Sequence, residues 1–318
     1  MRLYTFDVRA RVARRPLLGA EDNGTLVDLA AAFAALVEQR EEVVAGEGTS
    51  EGLPLRGLPM LLAAGERGMA AAREALRFAQ HAGNRVEGHL RYRFDEVRVR
   101  PPLLRPGKIL CAGTNYLSHM TENPKATRPE EPFIFAKLPS GVIGPHDPIV
   151  KPALTEQLDY EVELAVVIGR PMRHVPAERA LEYVAGYTIL NDVSARDVQF
   201  RNNQVTLGKN FDTFAPMGPC LTTADAIPDP SRLRLRTWVN GELRQDETAA
   251  GMIFGIPELL ARLSAVMTLE PGDVVSTGTP AGVGVFRQPP VFLQPGDVVT
   301  MEIDGIGRLE NRVAGPEG

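Results

Sequence analysis

The stretch Asp159-Tyr160-Glu161-Val162-Glu163-Leu164-Ala165-Val166-Val167-Ile168-Gly169 confines the fold of this chain more than any other. Residues 164–168 are all apolar, and a short run apolar at odd and even positions alike is a strand covered on both faces. Side chains alternate along a strand, so Glu161 and Glu163 point the same way, about 6.6 Å apart. Two carboxylates entering a buried strand side by side repel each other and are costly to desolvate. A divalent cation between them removes that cost. An exposed strand edge with an acidic face is the plain alternative, and the adjoining buried run argues against it.

A third ligand is suggested in Tyr187-Thr188-Ile189-Leu190-Asn191-Asp192-Val193-Ser194-Ala195-Arg196-Asp197-Val198-Gln199. Residues 187–190 read as a short apolar strand ended by Asn191-Asp192, and Ser194 with Asp197 has the spacing of a capping box opening a helix. A carboxylate at the C-terminal end of a core strand is well placed to meet Glu161 and Glu163. Spacing alone also allows Asp192 to be a second cap with Arg196 as its i+4 ion-pair partner. Hard oxygen ligands without a nearby Cys or His pair favour Mg²⁺ or Mn²⁺, with Ca²⁺ as a substitute, over Zn²⁺.

Further motifs follow in a fixed order. Gly113-Thr114-Asn115-Tyr116 has His119 and Glu122 close behind, and the two acidic stretches come next. After them stand Leu207-Gly208-Lys209-Asn210-Phe211-Asp212-Thr213, Pro271-Gly272-Asp273-Val274-Val275 and Gly278-Thr279-Pro280-Ala281-Gly282-Val283-Gly284. Taken together, from about residue 108 to 313, they resemble the fumarylacetoacetate hydrolase family of metal-dependent enzymes acting on acylpyruvates and related dicarbonyl compounds.

The resemblance implies an α+β, mostly β fold: a rolled mixed β-sandwich with a small α/β N-terminal domain. It implies a metal held by Glu161, Glu163 and Asp192. It implies that Arg196, Gln199, Lys209 and Thr279 line the pocket and grip the oxygens of a small oxo-acid. His119 and Glu122 match an acid/base dyad on a short lid. Those roles make chemical sense: His is suited to proton transfer near neutral pH, and Glu122, three residues on, shares its helical face and can orient the imidazole. Lys209 would meet negative charge developing on an enolate oxygen. The glycine-rich loop at 278–284 lacks both phosphate-loop spacings, and Pro280 removes a donor, so close backbone approach to substrate is its expected use.

On this basis the expected function is hydrolysis of a C–C bond in an acylpyruvate or related β-diketo acid through a metal-bound enolate. Oxaloacetate decarboxylation, and isomerisation or tautomerisation of unsaturated oxo-dicarboxylates, are alternatives on the same site. A non-enzymatic binding protein would leave His119, Glu122, Arg196 and Lys209 without a role as a set. Cys111 and Cys220 lack zinc-ligand spacing and read as core residues. His81, His89 and His174 have no acidic partner pattern, and His146 sits in a turn.

With a net charge of −5 and no basic stripe, the chain lacks the footprint of a nucleic-acid binder. Its longest apolar stretch, 29–37, is far short of the roughly 20 residues that cross a bilayer. Two cysteines fit a reducing cytoplasm rather than a disulfide scaffold. Exposed sheet edges and the family resemblance point to a homodimer.

Residues 3–12 and 17–20 predict a hairpin, with residues 21–24 as a turn before a strand over 25–29. Asp28 caps an alanine-rich helix reaching about Arg40, the polar stretch 41–57 reads as a flexible excursion, and 58–64 and 68–81 read as helices. Residues 97–107 are proline-rich and are not expected to continue regular structure. A boundary there divides the chain into an accessory domain over 1–100 and a catalytic domain over 103–318. Asn240-Gly241 is a type I′ hairpin signal, and residues 257–267 read as the one clear helix of the second part.

Overall fold

The computed structural model describes residues 1–10, 15–41, 55–82, 90–122, 127–201 and 204–316. Among them, a 12-stranded sheet forms the frame. Its path runs Arg91–Arg93, Thr25–Asp28, Leu17–Asp22, Arg2–Val8, Ala215–Thr223, Val184–Asn191, Val162–Ile168, Val274–Ser276, Ile109–Gly113 and Phe133–Lys137. Val97–Arg100 pairs beside Arg2–Val8, and Val142–Ile143 beside Ala215–Thr223. A second sheet of five strands runs Glu242–Thr248, Arg234–Val239, Val298–Ile303, Gly307–Ala314 and Ile149–Val150.

The strand Val162–Ile168 is buried along its whole length, as its composition predicts. It pairs antiparallel with Val184–Asn191 on one side and Val274–Ser276 on the other. Alternation then gives each face its own core. Leu164, Val166 and Ile168 pack with Leu235, Val299 and Met301 of the five-stranded sheet. Ala165 and Val167 share a core with Leu58, Leu61, Ala72 and Ala75 of the helices Leu58–Ala63 and Gly65–Ala82. The fold is therefore the expected mixed, mostly β sandwich, with helices outside the larger sheet.

The N-terminal part joins the same sheet. Arg2 and Leu3 pair with Thr222 and Leu221, and Leu3, Leu18 and Leu58 share a core with Ile109, Cys111 and Leu190. The line drawn between 1–100 and 103–318 is thus crossed by both hydrogen bonds and packing. Regular structure also reaches further than the proline-rich reading of 97–107 allows: Val97–Arg100 is a strand, and the ladder stops where Pro101 removes the next donor.

The first strand is Arg2–Val8, and residues 11–12 lie outside the described residues. The second extends to Asp22, leaving Asn23-Gly24 as the two-residue turn. Asp28 caps the helix Leu29–Glu41, its Oδ1 accepting from the amides of Ala30 and Ala31 at 3.0 and 3.1 Å. Most of the stretch 41–57 lies outside the described residues. Asn240 and Gly241, at φ 52° and 82°, turn the predicted hairpin, and the helix Ile256–Val266 carries its proline in the first turn. No helix among the described residues is long and apolar enough to cross a membrane.

The capping box at Ser194 is not there. Ser194–Ala195 is a two-residue strand against Leu158–Asp159, and the Ser194 hydroxyl donates to the Asp192 carbonyl at 2.9 Å. Asp197 instead accepts from the Thr155 hydroxyl and the Glu156 amide at 2.5 and 3.0 Å. Long-range partners outbid the local cap.

Candidate active site

The acidic residues meet at the C-terminal end of Val184–Asn191, where Asp192 follows the strand and Glu161 and Glu163 approach from its neighbour. Asp192, Glu161 and Glu163 are all buried, and so are the cations around them. Lys209 Nζ donates to Glu161 Oε2 at 2.8 Å and to Asp192 Oδ2 at 2.7 Å. Arg196 binds Glu161 Oε1 through Nη2 at 2.6 Å and Asp159 Oδ2 through Nε at 2.9 Å. Its Nη1 donates to Gln199 Oε1 at 3.1 Å, which orients that amide toward the cavity it lines.

The two glutamates are not equivalent. Burial alone would raise the Glu161 carboxyl, but Lys209 and Arg196 outweigh it and hold the group well below the usual carboxylate range. Glu163 has no ion-pair partner among the described residues: it accepts from the Ser276 hydroxyl at 2.5 Å and the Gly278 amide at 3.2 Å. Burial, with Asp192 and Glu161 nearby, pushes it up to about 8. Among the described residues, the ligand atoms of Cys111, Glu163 and Asp192 lie within 4.8 Å of one another. Glu161 stands outside that group because its oxygens face Lys209 and Arg196.

This donor set fits a divalent cation. Burial and the neighbouring Asp192 and Glu161 oppose ionisation of Glu163, a cost that a divalent cation would remove, and the carboxylate donors are buried oxygens, which suit Mg²⁺ or Mn²⁺. Cys111 is a core residue, as read from sequence, but it also borders the carboxylates; burial, Asp192 and Glu163 push its thiol well up.

His119 lies in the short helix Leu117–Glu122 with its Nδ1 3.0 Å from Glu122 Oε2, so the spacing of three does place both on one face. Glu122 Oε1 accepts from the Gly282 amide at 2.8 Å, tying the helix to the glycine-rich loop. Most amide bonds of that loop and the residue after it go to carboxylates, Gly278 to Glu163, Gly282 to Glu122, and Gly284 and Val285 to Asp159 at 2.7 and 3.1 Å, while the Ala281 amide donates to the Ser118 hydroxyl at 3.1 Å. Thr279 lines the cavity, its hydroxyl accepting from Gln245 Nε2 at 2.8 Å. The cavity, about 170 Å³, brings together His119, Glu161, Glu163, Arg196, Gln199, Lys209 and Thr279.

Sequence reasoning missed Lys137, Asp159 and Gln245. Lys137, 2% exposed, donates to Asp192 Oδ1 at 2.6 Å and to the carbonyls of Lys209 and Val193 at 2.7 and 3.2 Å. A lysine ending the apolar run Phe133-Ile134-Phe135-Ala136 marks a charge on a core strand, but its partner lies 55 residues away. His146, His174 and His81 are exposed and outside the site; His89 lies outside the described residues.

Residues 108–314 match the family model described as fumarylacetoacetate (FAA) hydrolase C-terminal. The chain is 41% identical over 315 residues, 98% of its length and 90% of the relative's, to oxaloacetate tautomerase fahd2, mitochondrial, of Xenopus laevis. It is 46% identical over 256 residues, 79% of this chain and 84% of the relative, to oxaloacetate tautomerase YisK of Bacillus subtilis (strain 168). Among solved structures it resembles maleylpyruvate hydrolase from Sphingobium sp. SYK-6 in complex with manganese(II) ion and pyruvate, with a TM-score of 0.75, 31% identity and full coverage of both chains. Ordered motifs, fold and a match across two thirds of the sequence agree: the chain belongs to the fumarylacetoacetate hydrolase family.

Proposed function

We propose that the protein is a tautomerase that interconverts the keto and enol forms of a 2-oxo acid, with oxaloacetate as the leading substrate. The observation that carries this reading is the 41% identity, over 98% of the chain, to an oxaloacetate tautomerase. The site chemistry is compatible with it. Converting keto to enol breaks the C3–H bond, forms the C2=C3 double bond and moves the carbonyl pair onto oxygen, which takes a proton. His119 is the proton carrier: its Nδ1 is engaged by Glu122, leaving Nε2 for the C3 proton. Lys209 meets the charge developing on the C2 oxygen, and Arg196 with Gln199 orients the carboxylate end. Glu163 and Asp192, with Glu161 beside them, would hold a divalent cation, which supplies further polarisation of the carbonyl when bound.

Hydrolysis of an acylpyruvate is the second reading. It is supported by the likeness to maleylpyruvate hydrolase and by the same dyad, which could take a proton from water instead of carbon. The test is to supply enol oxaloacetate to the Mn²⁺-loaded protein and follow enol loss, while assaying pyruvate release and acylpyruvate cleavage in parallel. Enol loss accelerated over Mn²⁺ alone, without matching pyruvate release, is expected. Acylpyruvate cleavage with no effect on enol loss would replace this reading with the hydrolytic one.

A further inference from the structure

We propose that the pocket also takes 2-oxo acids whose C3 substituent is apolar, aryl groups included, and tautomerises them; this rests on the tautomerase reading above. The strand Phe133–Lys137 presents Phe133, Phe135 and Lys137 on one face by alternation. Along that face the chemistry changes from end to end. Lys137 is buried with its ammonium on Asp192. Phe135 comes next, its ring centroid 5.3 Å from Lys209 Nζ. Phe133, 55% exposed, stands at the cavity opening, and Gly113 beside it leaves it room, since a Cβ there would meet Phe133 Cδ1 at 2.7 Å. Phe200, 54% exposed, Val205 and Phe286 complete the apolar rim, and the Phe286 ring lies 5.7 Å from that of His119.

The floor is charged and the rim is not. Among the described residues, Arg196 and Lys209 are the lysine and arginine side chains lining the cavity, and both already serve Asp159, Glu161 and Asp192. The oxo-acid head belongs at that floor, so the C3 substituent projects toward the rings. A second carboxylate there, that of oxaloacetate included, would meet phenyl faces and, among the described residues, no further lysine or arginine of the lining, with His119, Gln199 and Thr114 as its polar neighbours. An apolar substituent gains burial and ring contact instead. Large apolar side chains exposed around one opening mark a ligand groove. The reaction is the proton shift written above and consumes no co-reactant.

The test compares kcat/KM for enol-to-keto conversion of phenylpyruvate, the aryl probe, and of oxaloacetate, using Mn²⁺-loaded protein. Phenylpyruvate should fall within about tenfold of oxaloacetate or exceed it, the scale on which pocket contacts discriminate. Phe200→Arg places a cation at the rim and, at so exposed a position, spares the fold; Phe133→Arg does the same from the strand. Each should shift the ratio at least about fivefold toward oxaloacetate. Turnover of oxaloacetate without phenylpyruvate, or a ratio that neither variant moves, overturns this proposal alone. Inactivity on both substrates overturns the tautomerase reading beneath it.

Discussion

Lys209 Nζ sits 2.7 Å from Asp192 Oδ2, and both side chains are buried. The same ammonium reaches Glu161, so one cation separates two carboxylates whose charges would otherwise face each other through a low-dielectric floor. Burial would lower the Lys209 ammonium, but Asp192 and Glu161 raise it, so it stays charged at neutral pH.

Lys209→Met should therefore do two things. Asp192 keeps Lys137 and Glu161 keeps Arg196, so the loss of stability should fall below the roughly 3–5 kcal/mol that a fully uncompensated buried charge costs. The substitution also removes the charge facing the enolate oxygen, lowering kcat by roughly 10²-fold or more. Mn²⁺ should restore a larger share of the lost stability than of the lost activity. Thermal melts with and without Mn²⁺, beside enol-loss kinetics, read both; a variant as active as the parent would remove Lys209 from the chemistry.

Glu163 gives a pH prediction. Its carboxyl is raised from 4.5 to about 8, so in metal-free protein its ionisation opposes folding. The penalty is absent below the unfolded value, grows as pH rises from about 4.5, and is complete above about 8. Metal-free protein should thus lose stability across that window, and Mn²⁺ should recover it by binding the folded state alone. Glu163→Gln, which keeps an acceptor for Ser276 and Gly278, should flatten the metal-free profile and lose most of the Mn²⁺ gain. Denaturation at stepped pH after chelation checks it. A parent profile as flat as the variant's would show that Glu163 carries no such load.

Much of this site was legible because its residues sit in short, chemically unusual strings. Glu163 interrupts, and Glu161 immediately precedes, a strand that is apolar everywhere else, and His119 with Glu122 needs only helical spacing to be read as a pair. Lys137 was not legible in the same way: nothing local shows that a lysine after Phe-Ile-Phe-Ala turns inward to Asp192, 55 residues away. Asn115 shows the converse. It lies within a recognisable motif, yet its amide is spent on the fold, donating to the carbonyls of Phe254 and Thr277 at 3.0 and 2.8 Å. The attachment of residues 1–100 to the sheet was hidden for a similar reason, since pairing of Arg2 with Thr222 leaves no mark in either segment.

His119 and Glu122 should differ in weight. His119→Ala removes the proposed proton carrier and should slow enol loss by about 10²-fold or more. Glu122→Gln keeps a hydrogen-bond partner for the ring and for the Gly282 amide, so its loss should be smaller and should appear as a shifted pH–rate profile. Stopped-flow profiles across neutral pH separate the two. Equal losses with unchanged profiles would make the dyad a structural feature of the helix Leu117–Glu122.

Gly282→Ala tests whether the glycine-rich loop acts through the dyad. At φ 107° only glycine is at ease, and an added Cβ would meet the Arg244 carbonyl oxygen at 2.0 Å. The backbone must shift, and the amide that holds Glu122 Oε1 and the carbonyl that accepts from the Tyr160 hydroxyl shift with it. Glu163, anchored four residues earlier at Gly278, is spared that displacement. The variant should therefore lose kcat by about the amount that Glu122→Gln loses, or more, while Mn²⁺ affinity by calorimetry stays within a few-fold of the parent. Combined with Glu122→Gln, the losses should fall short of additive, because both act on one carboxylate. Full additivity would place the effect of Gly282 elsewhere in the loop.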